Sequence, residues 1–242
     1  MTSQPRAAAH AYEIEADGAD VCVVVAGARA RLRPSGVLWL EAARALVVAD
    51  VHLEKGSAYA ARGQMLPPYD TRDALIRLEA EAQALGPDLI VMLGDAFHDG
   101  WAEERLAPDD VLRLHALARG RTLVWVMGNH DPAPPARLPG EAAEALDLAG
   151  LSLRHEPAAG LTCGEAAGHL HPCARITAGG RSVRRRCFVT DGERLILPAF
   201  GAYAGGLNIR DEAFANLFAR PPLAIALGRR AHAVGWWSTV RD

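Results

Sequence analysis

Residues of the types that bind transition metals occur in five short clusters along the chain. In chain order these are Asp50 and His52; Asp95 and, three residues later, His98; Asn129, His130 and Asp131; His155; and His169 and His171. Residues two apart in an extended segment point to the same side, so the members of a D-x-H or H-x-H pair could reach one ion. Mixed carboxylate and imidazole ligands suit Mn²⁺, Fe²⁺ or Zn²⁺ better than Ca²⁺ or Mg²⁺ alone. The clusters therefore predict a transition-metal site.

Each cluster has a simpler interpretation when it is taken alone. A D-x-H or a G-D after a strand arises often by chance, and Gly128, Asn129 and Asp131 are typical of turns with positive φ. A turn does not explain His130, and five such clusters in one chain are rarely a coincidence. We therefore interpret the clusters as parts of one site.

The elements that must position these clusters are strands that end just before them. Buried strands are predicted at 45–49, 88–93, 122–127 and 151–154, after an N-terminal β-hairpin. Helical spacing and end signals predict helices at 70–85 and 108–120 and a weaker helix at 140–150. Alternating strands and helices predict an α/β fold, in which ligands bind beyond the carboxyl ends of the strands. The five clusters fit that location.

The second half of the chain changes character. The segments LSLRH, RSVRRRCFV and RLILPAF predict successive strands, whereas CGEAAG before His169 has few β-branched residues for a strand. Because no linker is visible, we predict one domain over 19–220. A flexible lead is predicted at 1–18. A tail that is moderately ordered at best is predicted at 221–242, and its two tryptophans could pack on the body or on a second subunit of a homodimer.

Composition excludes several classes of protein. The net charge of −3 provides no global field that would attract nucleic acid. The four cysteines form no C-x-x-C pair, which argues against a zinc–thiolate site, and a disulfide framework is not expected in a chain of this size. No apolar stretch has the length of a membrane span and the first residues lack a signal-peptide pattern, so we expect a cytoplasmic protein.

The ordered set of motifs D-x-H (50–52), G-D-x-x-H (94–98), G-N-H-D (128–131), H (155) and G-H-x-H (168–171) resembles the calcineurin-like metallophosphoesterases. The resemblance implies a single-domain α/β fold, a four-layer αββα sandwich around two divalent metal ions, and attack of a metal-bound hydroxide on a phosphoester. It further implies that one metal is held by Asp50, His52 and His171, that the other is held by Asn129, His155 and His169, and that Asp95 bridges them.

The same resemblance assigns catalytic roles near the metals. His130 would face the scissile phosphate as an acid, and Asp131 would orient its ring. His98 would lie near the substrate or would support the site by a hydrogen bond.

The segments that flank the motifs narrow the resemblance. VVADVHLEKGSAYAARGQMLPPYDT (47–71), GHLHP (168–172) and LPAFGAYAGGLN (197–208) are similar to the ligase-associated phosphoesterases of the PdeM group. This similarity implies that the protein is a DNA endonuclease of the DNA damage response that cuts single-stranded DNA. The metal it implies is Mn²⁺, with Fe²⁺ and Zn²⁺ as alternatives. It also implies an ATP-dependent DNA ligase and an Lhr-type helicase as partners.

Basic residues near the clusters are candidates for DNA contacts. Lys55, Tyr59 and Arg62 follow the first ligands, and Arg175, Arg181, Arg184, Arg185 and Arg186 follow the last. If they edge the site, they would hold the polynucleotide backbone; otherwise the arginines form an ordinary solvated strand face. Two alternatives for function stay open: hydrolysis of a small nucleotide or other phosphoester, and a binding module with a structural metal.

Overall fold

The computed structural model describes residues 12–242, which form two β-sheets with helices on one side. The α-helices are α1 (Lys55–Ala61), α2 (Asp70–Leu85), α3 (Ala102–Arg105) and α4 (Pro108–Leu117). The first sheet contains β1 (Ile14–Asp17), β2 (Asp20–Val25), β3 (Ala28–Leu32), β4 (Leu38–Leu40), β5 (Ala45–Ala49), β6 (Leu89–Leu93), β7 (Thr122–Val126) and β8 (Glu141–Ala143). The second contains β9 (Ala145–Leu148), β10 (Leu151–Arg154), β11 (Glu165–Ala167), β12 (Pro172–Ala178), β13 (Arg181–Thr190), β14 (Arg194–Ile196), β15 (Leu207–Asn208), β16 (Leu223–Leu227), β17 (Ala231–Val234) and β18 (Thr239–Val240).

The first sheet places β5, β6 and β7 side by side and parallel. These strands are almost wholly apolar, as expected for strands that are covered on both faces. On the outer face, Leu75 and Leu78 of α2 and Leu114 of α4 belong to one buried cluster with Leu46 and Met92. The helices therefore hold the three parallel strands in a fixed register.

The second sheet packs face to face against the first. Val47 and Val91 of the first sheet share one buried cluster with Leu153, Phe188 and Ile225 of the second. Within the second sheet, β10, β11 and β14 run parallel. Each sheet thus contributes a set of parallel strands to the sandwich.

The carboxyl ends of both sets of parallel strands meet at one edge of the sandwich. Ala49, the last residue of β5, forms a parallel bridge with Ala199, which follows β14. The N–H of Phe200 donates to the carbonyl of Ala49 at 2.8 Å. Because the predicted ligands follow β5, β6, β7, β10 and β11, the fold collects them at this edge.

The α/β sandwich expected from the resemblance is confirmed. Its fourth layer, on the outer face of the second sheet, contains no α-helix in the described residues. Within residues 12–242, no α-helix follows α4. The outer face of the second sheet is covered instead by short 3-10 turns at Glu212–Phe214 and Trp236–Ser238, where Phe214 and Trp236 pack on the strands. The fourth layer therefore consists of turns and loops.

The helix predicted at 140–150 is wrong, because these residues form β8 and β9. Strand β8 pairs in parallel with β7, and β9 pairs antiparallel with β10. Ala, Glu and Leu favour a helix over other residues by less than about 1 kcal/mol per residue, and pairing with two existing sheets outweighs that preference. The segment carries the chain from the first sheet to the second.

The ends of the chain also differ from the predictions. The prediction that the tail at 221–242 is moderately ordered at best is wrong, since β16 pairs with β13 inside the second sheet and is buried along its length. Of the lead at 1–18, residues 1–11 lie outside the described residues, whereas β1 pairs with β2. Among the described residues, no helix has the length and apolar character needed to cross a bilayer.

Candidate metal centre

Most of the predicted ligands occupy a backbone conformation that side chains rarely adopt. Positive φ angles occur at Asp50 (52°), His52 (48°), Asp95 (47°), His169 (66°) and His171 (46°). Each such residue costs about 1–3 kcal/mol, and this kind of strain clusters at functional sites because the surrounding fold imposes it. The strained residues therefore mark the strand ends as the functional edge of the molecule.

Asp50, His52 and His171 form the first group of potential ligands. His171 Nε2 lies 3.2 Å from Asp50 Oδ1 and 3.3 Å from His52 Nε2. Burial, followed by the nearby His171 and Lys55, lowers the pKa of His52 to about 2. His52 is therefore a neutral imidazole with a free lone pair, which is the form that binds metals.

Asn129, His155 and His169 form the second group. The Asn129 Oδ1 atom lies 2.9 Å from His155 Nε2 and 3.0 Å from His169 Nδ1. The two imidazole nitrogens are themselves 3.2 Å apart. The group comes from three different strand ends, after β7, β10 and β11, so both sheets contribute to it.

Asp95 lies between the two groups. Its Oδ1 atom is 3.4 Å from His155 Nε2, and its Oδ2 atom is 3.8 Å from His52 Nε2. The N–H of His130 donates to the same Oδ1 atom at 2.9 Å and fixes the carboxylate in this position. Asp95 is thus placed to be shared by two cations.

The two buried carboxylates fit a site for divalent cations. Asp50 and Asp95 are 0% and 2% exposed. Within the described part of the chain, histidines are the potential cations that contact them, and neither carboxylate pairs with a lysine or an arginine. Buried charge of one sign needs a counter-charge, and converging imidazole nitrogens and carboxylate oxygens are the donor set of a transition-metal centre.

Three glycines leave the space that the potential ligands occupy. A Cβ atom added to Gly94 would lie 2.2 Å from His155 Nδ1, and one at Gly168 would lie 2.6 Å from Asp50 Oδ2. At Gly128 the added atom would lie 2.2 Å from Asp95 Oδ1 and 2.3 Å from the Asp95 nitrogen. Any side chain at these positions would push a ligand out of place.

We expect Gly128→Ala to weaken Mn²⁺ binding by about 10–100-fold. Mutations that disturb the groups holding a metal ligand in position reduce metal affinity by this amount. The cause is the collision of the new methyl group with the Asp95 carboxylate and main chain. Calorimetric titration of Mn²⁺ into metal-stripped protein would measure the effect. Gly235→Ala is the matched control, because an added Cβ there meets nothing within 4 Å. Equal affinities in the two variants would contradict the steric argument.

His130 and His98 lie next to the first group of ligands. Their rings stack with centroids 5.3 Å apart, and His130 Nδ1 lies 2.8 Å from the carbonyl oxygen of His98. A carbonyl can only accept, so Nδ1 carries the hydrogen and Nε2, 4.0 Å from Asp95 Oδ2, faces the metal centre. Burial first, then Lys55 and His130, lowers the pKa of His98 to about 4.

The expectation that Asp131 orients the His130 ring is wrong. Asp131 Oδ1 accepts the N–H groups of Asp95 and Gly128, both at 3.1 Å, and Oδ2 accepts that of Phe97 at 3.0 Å. Burial raises the pKa of Asp131 to about 6, although the N–H groups of Phe97 and Gly128 oppose the shift. Asp131 therefore joins the loop after β6 to the loop after β7, while the His98 carbonyl orients His130.

Helix α1 brings Lys55 and Tyr59 to the rim of the centre. The Tyr59 ring lies 5.8 Å from the His98 ring. Lys55 is close enough to His52 and His98 to lower the pKa of both, and burial lowers its own pKa. Arg62 follows the helix and is exposed.

A buried network that the motifs did not reveal holds this helix in place. The carboxylate of Glu54 accepts hydrogen bonds from Thr71 Oγ1 at 2.9 Å and Ser57 Oγ at 2.5 Å. The N–H of Gly56 donates to Asp70 Oδ2 at 2.9 Å. These hydrogen bonds tie the start of α1 to the start of α2, across 14–17 residues of the chain.

The predicted arginines lie on the hairpin of β12 and β13, and they differ in exposure and in their contacts. Arg181 and Arg185 are exposed, and Arg175 lies opposite Arg184, which pairs with Asp242 at 3.3 Å. Arg186 is partly buried and donates to the carbonyl of Ala199 at 2.6 Å, and burial lowers its pKa. Arg186 thus supports the joined strand ends instead of facing solvent.

The chain matches one family profile and is similar to proteins of known structure. The sequence profile described as calcineurin-like phosphoesterase matches residues 43–193. The Pseudomonas putida nuclease MPE, whose crystal structure is known, is 28% identical in sequence to this chain. The two structures superimpose with a TM-score of 0.68, over 89% of this chain and 100% of that one. The E. coli phosphoesterase Yfce is 18% identical with a TM-score of 0.36, over 79% of this chain and 98% of that one. A search of curated protein sequences gives no significant match.

The motifs, the two groups of donor atoms and the matched profile agree over the same part of the chain. The profile covers the strand ends from β5 to the segment after β13, which carry all seven potential ligands. The chain therefore belongs to the calcineurin-like phosphoesterase family and is a hydrolytic metallophosphoesterase.

Proposed function

We propose that this chain is a two-metal phosphodiesterase that cuts DNA internally, with single-stranded DNA as its substrate. The observation that carries the proposal is the open position of the metal centre. Its floor is buried, whereas the side chains of His130 and His169 are 41% and 35% exposed. Sites for small molecules usually enclose most of the ligand, so an open centre favours a long substrate that crosses the surface.

The side chains around the centre suit hydrolysis of a phosphodiester. Divalent cations at such a centre lower the pKa of water toward ~7 and polarise a phosphoryl oxygen. His130 Nε2 faces the centre because Nδ1 is engaged by the His98 carbonyl, so a protonated His130 can donate to the leaving oxygen. Lys55 offers a positive charge beside the same histidines for a phosphate.

Similarity supports nucleic acid as the substrate. The P. putida protein of known structure is described as a nuclease, and it aligns with 89% of this chain at 28% identity. The PdeM-like flanks extend the proposal to DNA repair in the cytoplasm, with Mn²⁺ as the metal. They also motivate an ATP-dependent DNA ligase and an Lhr-type helicase as partners.

The arginine hairpin gives a test of DNA contact. We expect Arg181→Ala/Arg185→Ala to make the negative slope of log affinity against log salt for single-stranded DNA shallower by about 1.4, because two phosphate contacts are lost. Hydrolysis of a nitrophenyl phosphodiester should not change. Fluorescence anisotropy at several salt concentrations would measure the slope. Arg119→Ala/Arg121→Ala is the matched control, since these residues precede β7 at the opposite edge of the sheet. Equal slopes for the two double variants would remove the hairpin from the DNA site.

The proposed function is tested by comparing three substrates with Mn²⁺. We expect internal cleavage of a single-stranded oligonucleotide, hydrolysis of a nitrophenyl phosphodiester, and no release of phosphate from mononucleotides. The opposite pattern, with phosphate released from mononucleotides and intact oligonucleotides, would support the alternative of a small phosphoester as the substrate.

A further inference from the structure

Trp101 exposes an indole ring close to the metal centre. The residue is 73% exposed, although large aromatic side chains usually stabilise a protein by burial. Only three residue steps separate it from His98, so the two Cα atoms are at most about 11 Å apart. We propose that Trp101 binds a nucleobase of the DNA strand by stacking, and this inference rests on the proposed function.

The segment that carries Trp101 is held in place by hydrogen bonds. Asp99 Oδ1 accepts the N–H of Trp101 at 3.0 Å and the guanidinium of Arg105 at 2.9 Å. Arg105 also donates to Ser57 Oγ of α1 at 2.9 Å. The indole is therefore presented from a fixed base, and such preorganisation lowers the entropy cost of binding.

A second tie places this segment at the rim of the centre. The carboxylate of Glu103, in α3, accepts the N–H groups of Ala136 and Arg137 at 2.9 Å and 2.6 Å. These residues lie in the loop that follows the G-N-H-D motif. Trp101 thus precedes a short helix that joins α1 to the loop after His130, and both of these elements border the catalytic groups.

Two planar rings lie beside the ring of His98, which precedes Trp101 by three residues. His130 stacks on His98 at 5.3 Å and 24°, and Tyr59 lies 5.8 Å from His98. Lys55 lies in α1 with Tyr59, and the exposed Arg62 follows that helix. Aromatic faces beside cationic groups are the combination that binds single-stranded nucleic acid, because each base has a face that can stack.

The proposed stacking would also produce a preference for unpaired DNA. A base inside a duplex is stacked on its neighbours and cannot lie on a protein side chain unless it is extruded. A base in a single strand can rotate onto the indole while its phosphate lies at the metal centre. Trp101 would therefore select single strands.

The test compares two polymers that differ only in their bases. Wild type, Trp101→Ala, Trp101→Phe and Trp237→Ala are assayed on an oligothymidylate and on a base-free deoxyribose-phosphate oligomer of equal length. We expect Trp101→Ala to lower kcat/KM for the oligothymidylate by about 5–150-fold, the effect of losing one base–aromatic stack. Trp101→Phe should retain most activity, and the base-free oligomer should be cut equally by all four proteins.

Trp237 is the matched control because it is 84% exposed but lies in the turn on the outer face of the second sheet. Equal rates for Trp101→Ala and wild type on the oligothymidylate would overturn the inference, and so would an equal loss on both polymers, which indicates a structural role. A change in oligomeric state with Trp101→Ala would show a protein contact and would also overturn it. If wild type cuts neither polymer, the proposed function fails and the inference falls with it.

Discussion

Asp95→Ala should lower kcat for a nitrophenyl phosphodiester by about a thousandfold or more. Asp95 reaches toward both groups of ligands, at 3.8 Å from His52 and 3.4 Å from His155, so its loss affects both cation positions. Stabilisation of transition-state charge by bound metal accounts for several kcal/mol, and each 1.36 kcal/mol changes the rate tenfold. Steady-state kinetics with saturating Mn²⁺ would measure the loss.

Thermal unfolding separates this effect from misfolding. Saturation at 100 times the dissociation constant stabilises a protein by about 2.7 kcal/mol, which is about 5–10 °C in Tm for a chain of this size. We expect Mn²⁺ to raise the Tm of wild type by this amount and to leave the Tm of Asp95→Ala nearly unchanged. Asp147→Ala, at an exposed position of β9, should behave as wild type. Full activity in Asp95→Ala would contradict the shared position of this carboxylate.

Asp131→Ala should lower the free energy of unfolding by about 3–5 kcal/mol in the absence of metal. The carboxylate accepts three main-chain N–H groups in the loops after β6 and β7, and each unsatisfied buried donor costs about 1–3 kcal/mol. The Tm should fall by about 6–20 °C. Asp131→Asn should lower the free energy of unfolding by less, because the amide oxygen still accepts from one side. It should still be less stable than wild type, because the amide N–H₂ group faces another N–H donor. Urea unfolding with a chelator present would measure both variants.

The same variants decide between two roles for Asp131. If it acted by orienting the His130 ring, Asp131→Ala would lower kcat as His130→Ala does and would leave the stability unchanged. The observed hydrogen bonds predict a loss of stability instead, followed by weaker metal binding because the Asp95 loop is released. A Tm equal to that of wild type would contradict the structural role.

The potential ligands after β5, β6 and β7 could be identified from sequence because each of these strands is an apolar run. Val47 and Val91 lie in runs of apolar residues that predict buried strands, and the next residues are the polar clusters. The helix predicted at 70–85 agrees with α2, Asp70–Leu85, because its apolar spacing and the following Gly86 both indicate these bounds. The local sequence pattern was sufficient to predict an element where the residues within it and directly beside it determine its bounds.

Long-range pairing explains what the sequence did not predict. The segment at 140–150 resembles a helix but forms strands because two sheet edges were available. Strand β11 lacks β-branched residues but is buried between β10 and β14. The hydrogen bonds of Asp131 and the support given by Arg186 depend on the arrangement of loops that are distant in the chain.

The most direct measurement is the incubation of metal-stripped protein with Mn²⁺ and circular single-stranded DNA. Circular DNA has no ends, so linear products can form only by internal cleavage. We predict linear and then shorter products with wild type and Mn²⁺, and intact circles with Asp95→Ala or without metal. Circles that stay intact with wild type and Mn²⁺, while a nitrophenyl phosphodiester is hydrolysed, would contradict DNA as the substrate.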